Sequence, residues 1–304
     1  MLWPRPLQQL LRSIAPDVVH SHSGAWYKTA LAARRIRARA MVHTEHGRPG
    51  PESWTSRLTE RIASRWTNVV IAVSATLADA LSAIVAPTCR VEAILNGVDT
   101  DVFSPGRSGN DWRDRLGLSP RTPVIGIIAR LDPIKDFATL LEAVALLRRS
   151  WTASDPPVLV IAGDGPERAN IAALVDKWAL RGVVHSIGWV DAPVDLYPLF
   201  DVFTLSSRSE GTSIGLLEAM SCGVCPVVTA VGGNPAVLGP ELSQLLVPAG
   251  APLELANRWR SVLADRSSRL TLGRIGRERV RRLYSLDVMV QRYEALYARF
   301  APVA

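Results

Sequence analysis

Two glutamates, Glu210 and Glu218, sit seven residues apart in the segment Ser206-Ser-Arg-Ser-Glu-Gly-Thr-Ser-Ile-Gly-Leu-Leu-Glu-Ala-Met220. A strand-like apolar run, Val202 to Leu205, precedes them. The chain then passes through a loop of glycine and hydroxyl residues and enters a helix. Unpaired N–H groups at a helix entry hold phosphate oxygens. A carboxylate at Glu218, on the first turns, reaches ribose hydroxyls. Glu210, on the loop, reaches a sugar or a developing positive charge. The plainer alternative is that both acids only balance the helix dipole and a basic surface.

Two further strand-to-helix loops carry similar possibilities. In Ile128-Ala-Arg-Leu-Asp-Pro-Ile-Lys-Asp136, the cations Arg130 and Lys135 would meet a diphosphate beside a helix entry. Alternatively they are surface charges near Asp132 and Asp136. In Ile161-Ala-Gly-Asp-Gly-Pro-Glu167, Gly163 and Gly165 bracket a tight turn that lets a base or ribose approach the backbone. Neither loop is the G-x-G-x-x-G dinucleotide fingerprint.

Four of the 5 histidines, His20, His22, His43 and His46, fall at the ends of two expected parallel strands. A zinc site is conceivable there. No cysteine or acidic cluster accompanies them, so a role lining a cleft, as partners for hydroxyls, is preferred. His185 lies inside a strand and reads as structural. Cys222 and Cys225 have the spacing of a redox dithiol, but read better as small residues packed behind a strand. With Cys89 they make 3 cysteines, an odd and low count that argues against a disulfide-built domain and for a reducing cytoplasm. The arginine runs Arg34, Arg35, Arg37, Arg39 and Arg274, Arg277, Arg281, Arg282 read as solvated faces, with anionic lipid headgroups as the next choice.

These residues need a scaffold, and the pattern supplies an α/β one. Helices are expected at Leu7 to Ile14, Tyr27 to Arg35, Ser56 to Trp66 and Ser74 to Ile84, the last capped by Ser74. Strands are expected between them at Asp17 to His20, Arg39 to Thr44, Val69 to Val73 and Val91 to Ile94. Residues Asp101 to Pro120, rich in Gly, Ser, Asp and Pro, read as a linker with a short surface helix. Alternation then restarts. Strands are expected at Pro123 to Ile128, Val158 to Ala162, Val183 to Ile187, Val202 to Leu205, Val224 to Thr229 and Leu245 to Val247. Helices are expected at Phe137 to Arg149, Glu167 to Trp178, Leu216 to Met220, Pro252 to Leu263, Leu272 to Tyr284 and Val288 to Phe300, with a short one near Pro193 to Leu199. Such alternation argues for parallel sheets covered by helices, with ligands at the carboxyl ends of strands.

The 304 residues suffice for two domains, and 48% hydrophobic against 21% charged residues is an ordinary globular balance. A net charge of +7 suits an anionic partner: a nucleotide diphosphate, a lipid phosphate, a membrane surface or nucleic acid. Nucleic acid is disfavoured, since no binding module or aromatic interleaving is visible. No segment reads as a membrane span, and Pro4, Pro6, Gln8, Gln9 and Arg12 break up any signal-peptide core. The amphipathic stretch Leu7 to Ile14 is expected to pack on its own domain, or else to touch a membrane surface.

At these residues the chain resembles glycosyltransferase family 4, the retaining nucleotide-sugar transferases with the GT-B fold. The loop from Glu210 to Glu218 matches the family's paired-glutamate motif, and with GLLEAMSCGVCPVVTAVGG it is a specific signal. Ala129 to Lys135 is similar to the family's pyrophosphate loop, Asn96-Gly-Val-Asp99 to the stretch before its linker, and Thr44-Glu-His46-Gly to the segment with its active-site histidine. The resemblance implies two Rossmann-like domains facing across a cleft: residues 1–104 on the acceptor side, 105–287 binding nucleotide-sugar, and 288–304 forming a helix that crosses back. It implies that Arg130 and Lys135 bind the donor diphosphate, that Glu210 approaches the sugar and Glu218 the ribose, and that His46 lines the reaction centre. Gly163 and Gly165 would lie against the donor, and the backbone from Gly211 through Thr212, Ser213, Leu216 and Leu217 would hold phosphate and sugar.

No cofactor and no metal are required on this reading. The expected partners are a UDP-sugar in preference to a GDP-sugar, and a glycan, lipid-linked or small-molecule acceptor at the cytoplasmic face of the membrane. The chain departs from the family at its start, where elements of the first domain are expected and not seen. That implies a natural short form, a misplaced start codon, or a protein partner that completes the domain. The alternative function is accordingly a catalytically weak nucleotide-sugar-binding subunit.

Overall fold

A computed structural model describes residues 5–47, 53–106 and 108–300. The chain forms two compact units, one of residues 1–96 with 287–304 and the other of residues 97–286.

The first unit contains α1 (Arg5–Ile14), β1 (Val18–His22), α2 (Trp26–Ile36), β2 (Ala40–Glu45), α3 (Trp54–Ser64), β3 (Val69–Ala72), α4 (Ala75–Ser82) and β4 (Arg90–Ala93). Its strands form a parallel sheet in the order β1-β2-β3-β4. Every residue of β2 and β3 is buried, as expected for parallel strands covered on both faces. On one face Leu11, Trp26, Ala30, Ala33 and Ala63 pack with Met41, Val70 and Ala72. On the other, Val42, Val69, Ile71 and Ile94 pack against Leu296, Met289, Tyr293 and Tyr297 of the last helix. Ser74 caps α4 as expected, its Oγ accepting from the Leu77 N–H at 3.2 Å.

The second unit contains α5 (Asn110–Arg115), β5 (Val124–Ile128), α6 (Phe137–Arg149), β6 (Val158–Ala162), α7 (Arg168–Lys177), β7 (Val184–Gly188), β8 (Val202–Leu205), α8 (Ile214–Ser221), β9 (Cys225–Thr229), α9 (Asn234–Leu238), β10 (Leu246–Val247), α10 (Pro252–Ala264) and α11 (Arg266–Leu283). The strands form a parallel sheet in the order β10-β9-β8-β5-β6-β7. The chain reverses its direction of travel across the sheet after β7, so β5 lies between β6 and β8. The loops after β5, β6 and β8 are therefore neighbours. Trp259, Tyr197, Phe137 and Phe203 are the largest fully buried side chains here.

α12 (Leu286–Ala298) closes the chain. The division falls at residue 96 and not at 104, because the segment after it is tied to the second unit. Val98 pairs with Ser285, and the Phe103 carbonyl accepts from Ser221 Oγ at 2.6 Å.

Several elements differ from expectation. The region Pro193 to Leu199 is two single 3₁₀ turns, Pro193–Asp195 and Tyr197–Leu199, each carrying a proline near its start. α11 starts at Arg266, earlier than Leu272, because Asp265 accepts from the Ser268 N–H at 3.0 Å. α9 and a 3₁₀ stretch, Pro240–Leu245, fill a region with no expected helix. Arg277 does not belong to a solvated face: it donates to the carbonyls of Ser221 and Phe103. No described helix is long and apolar enough to cross a membrane.

Candidate functional site

Four loops at the carboxyl ends of β5, β6, β8 and β9 are stitched together through their backbones. The Leu131 N–H donates to the Asp164 carbonyl at 2.9 Å, and the Arg208 N–H to the Ile134 carbonyl at 2.8 Å. Gly233 donates to the Gly211 carbonyl at 3.0 Å. These approaches are too close for side chains. Gly163, at φ 131°, would drive a Cβ into the Ala129 carbonyl, and Gly232, at φ 53°, would drive one into that of Glu210. Gly215 opens α8 against β5, where an added Cβ would come 2.9 Å from the Ile128 oxygen.

Lys135 ends a 3₁₀ turn, Pro133–Lys135, and the chain then reverses through Asp136 at φ 51°. This left-handed turn costs energy in a residue other than glycine. Asp136 offsets that cost by capping α6 at the Thr139 N–H and by accepting from Arg208 Nε at 3.0 Å. Burial alone would raise its carboxyl, but the bonds from Arg208 and Thr139 outweigh burial and hold it below the usual range.

With the turn fixed, Lys135 Nζ donates to Glu210 Oε1 at 2.6 Å. Ser207 Oγ donates to the same oxygen at 2.5 Å. The pair is sheltered, with 15% and 8% of the two side chains exposed. Glu210 Oε2 has no hydrogen-bond partner among the described residues.

The other expected donor-site residues separate into groups. Arg130 stands 75% exposed, with its Nε 3.2 Å from Asp132, outside the Lys135 network. Ser213 caps α8, its Oγ accepting from the Leu216 N–H at 3.4 Å, and its carbonyl accepts from the Leu217 N–H. The side chains of Leu216 and Leu217 are fully buried. The capped helix leaves the N–H groups of Ile214 and Gly215 to meet an anion. Thr212 is buried beside them, and Gly165 turns at φ 157° under Leu131.

Glu218 points inward from α8 and accepts from the Tyr197 hydroxyl at 2.5 Å. Burial raises its carboxyl above the ordinary value, and the Tyr197 bond opposes that shift only in part. Tyr197 is itself held well above its usual range, first by burial and then by the Glu218 charge. Tyr197 and Ser207 escape a local reading. One lies in a single 3₁₀ turn, and the other is one of several serines in its loop.

In the first unit, β1 and β2 pair in register, with His20 beside Val42 and His22 beside Thr44. His22 Nδ1 and His46 Nε2 lie 2.9 Å apart with the rings stacked, so one proton is shared between them. The Glu45 carboxylate accepts from the N–H groups of His46 and Gly47 at 3.0 and 3.2 Å, which fixes the turn. His20 bonds Tyr297 Oη at 2.6 Å and Thr44 Oγ1 at 2.8 Å. Its pKa is lowered to about 4, by burial first and then by the neighbouring histidines His22, His43 and His46. His43 is fully buried, stacked on Trp26 and bonded to Ser21 Oγ at 2.9 Å, so it belongs to the core. Among the described residues no group of three or more His, Cys, Asp or Glu is placed to hold a metal ion.

The three cysteines are free and buried. Cys225 begins β9, and burial pushes its thiol up to about 12, which suits packing and not redox exchange.

Comparison with known proteins places these loops in context. A family model described as "Glycosyl transferases group 1" matches residues 109–279, and one described as "Glycosyltransferase Family 4" matches residues 1–102. N-acetyl-alpha-D-glucosaminyl L-malate synthase of Bacillus anthracis is 26% identical over 92% of this chain and 74% of its own length. D-inositol 3-phosphate glycosyltransferase of Salinispora arenicola is 26% identical over 84% of this chain and 63% of its own length. The chain thus spans about two thirds to three quarters of these relatives. Among solved structures, sucrose-phosphate synthase from Thermosynechococcus elongatus superposes with a TM-score of 0.83 at 24% identity, covering 97% of this chain and 76% of the other. Anabaena HepE in complex with UDP-glucose gives 0.84 at 20% identity, covering 97% and 82%.

Proposed function

The chain belongs to the glycosyl transferases of group 1 and has the GT-B type of fold, and on that premise we propose that it is a retaining hexosyltransferase. It moves a sugar from a nucleotide-sugar to a hydroxyl of a glycan, lipid-linked or small-molecule acceptor. It works in the cytoplasm at the inner face of the membrane, with no metal and no cofactor. The observation that carries the reading is the sheltered Lys135–Glu210 pair beside the entry of α8. It sets a cation, a carboxylate and free helix N–H groups around one loop cluster, as a departing diphosphate and a positively charged sugar require. A UDP-sugar is favoured over a GDP-sugar because HepE, similar in fold, was solved with UDP-glucose.

The chemistry follows from the charges. As the bond from the anomeric carbon to the diphosphate oxygen breaks, negative charge grows on the leaving group and positive charge on the sugar ring. Lys135, Arg130 and the Ile214 and Gly215 N–H groups stabilise the first. Glu210 Oε2 faces the second. The acceptor oxygen attacks from the side of the departing phosphate, which takes the acceptor proton, so anomeric configuration is retained. Glu218 binds ribose hydroxyls. His46 has its Nε2 occupied by His22 and offers Nδ1 to a sugar hydroxyl.

Titration with UDP-, GDP- and ADP-sugars tests the reading, using the wild type and a Lys135→Ala, Glu210→Ala double variant. Saturable binding of one donor, lost in the variant, with release of sugar, supports it. Binding without turnover favours a nucleotide-sugar-binding subunit that needs a partner. A folded chain that binds no donor overturns both.

A further inference from the structure

The chain's charge is divided unevenly. Residues 1–65 carry eleven Lys and Arg against four Asp and Glu, whereas residues 66–304 carry twenty-four of each. The entire excess of +7 therefore lies in the first 65 residues. Such a concentration attracts an anionic surface through the summed field.

α3 shows how that surface is met. Its inner side packs through Ala63 and Ser64, which are fully buried. Its outer side carries Trp54, 76% exposed, and Leu58, 50% exposed. Arg57, Arg61 and Arg65 are exposed as well, the last as the helical C-cap. At 3.6 residues per turn these five side chains fall within an arc of about 100°. None of the three arginines has an acidic partner among the described residues. An indole and an isobutyl group set among guanidiniums match the boundary between headgroups and acyl chains, where Trp and Arg are both favoured. Arg65 also lines a cavity of about 550 Å³ with Arg90, Thr67, Asn68, Thr88 and Arg299; Arg299 is paired with Glu92 at 2.6 Å, which leaves Arg65 and Arg90 to meet a phosphodiester headgroup.

The geometry points to α3 as the surface by which the first unit docks on an anionic phospholipid membrane, with the cavity beside Arg65 taking a lipid phosphate. This deepens the proposed placement at a membrane face and rests on it. It does not depend on the donor site.

The test is co-sedimentation of the purified chain with vesicles of phosphatidylcholine containing phosphatidylglycerol, and with vesicles of phosphatidylcholine alone. The wild type is expected to bind the first and not the second, less so as salt rises. An Arg57→Gln, Arg61→Gln, Arg65→Gln variant should lose about fivefold in partitioning for each arginine. A Trp54→Ser, Leu58→Ser variant should also release the protein. Arg274→Gln, Arg281→Gln, Arg282→Gln, on the basic face of α11, should bind as the wild type does. Circular dichroism melting confirms that each variant is folded.

If the wild type binds and the α3 variants bind equally well, the membrane placement stands and α3 is overturned as its surface. Wild type that ignores anionic vesicles overturns both. Equal loss in the α11 variant reduces the effect to unspecific charge and overturns the inference. Retention by polyuridylate that is indifferent to Trp54 and Leu58, without vesicle binding, makes the surface one for nucleic acid and also overturns it.

Discussion

The Tyr197 hydroxyl donates to Glu218 at 2.5 Å from a site with no exposure to water. The ring is wedged among Phe103, Phe200 and Phe203, with centroids 6.0 to 6.1 Å away. It cannot swing aside, so Glu218 is held in one orientation. Tyr197→Phe keeps the ring and removes the bond. We expect about 1–2 kcal/mol of lost stability, the usual cost of leaving a buried polar group unpaired. We also expect a KM for the donor that rises more than kcat falls. Denaturation midpoints and donor titration measure the two, and a variant unchanged in both would show that the contact is incidental.

Lys135 and Glu210 neutralise each other until a substrate arrives. Glu210→Gln preserves shape and the Ser207 contact, while Lys135→Ala leaves the carboxylate without its cation. Each is expected to lower kcat by 10²- to 10³-fold, roughly 3–4 kcal/mol, in line with loss of one preorganised charge. Lys135→Arg should recover only part of that, since a planar guanidinium does not replace a compact ammonium. Full activity in Lys135→Ala would remove it from the site.

Gly163→Ala tests the stitched loops. Its Cβ would collide with the Ala129 carbonyl at a φ that only glycine adopts readily. The loop must shift, and with it the Leu131–Asp164 contact. Donor affinity should fall by at least tenfold, with a drop in melting temperature. A melting temperature and affinity equal to wild type would mean that the backbone relaxes freely there.

The histidines predict a pH response. His20 takes up a proton near the ordinary imidazole value of 6.5 when unfolded, but only near about 4 when folded. Between those values the unfolded chain binds more protons, so stability falls as pH falls from 6.5 to 4 and levels off below. The cost is at most about 3 kcal/mol. His20→Gln should flatten that part of the urea-denaturation profile. An identical slope in the variant would assign the effect to other groups.

Much of this was legible in the residues. Short apolar runs such as Val124–Ile128, Val158–Ala162 and Val202–Leu205 identify strands of the second unit, because parallel strands covered on both faces leave no polar alternation to misread. Ser74 announces its helix by cap chemistry alone. The order of the strands is another matter. Nothing within β5 or β8 says that they pair, since that depends on which crossover the chain takes. Long-range partners are hidden for the same reason. Arg208 reads as a surface charge until the left-handed turn at Asp136 comes beside it. Arg277 reads as one of a basic run until the carbonyls of Ser221 and Phe103 approach it. The four histidines were visible as a group, but only the register of β1 with β2 decides that His22 pairs with His46 while His43 turns into the core.

The first unit is assembled from both ends of the chain. Its strand β4 ends at Ala93, yet the side chain that seals Val42, Ile71 and Ile94 on one face is Leu296. During synthesis that face must wait, apolar and uncovered, while the whole of the second unit is made. The sheet of the first unit is thus covered only after the second unit has been made. An interrupted ribosome, or a protease that removes only α12, would leave an exposed sheet face attached to an otherwise intact second unit. The integrity of the first unit therefore depends on α12, far along the chain from the strands that it covers.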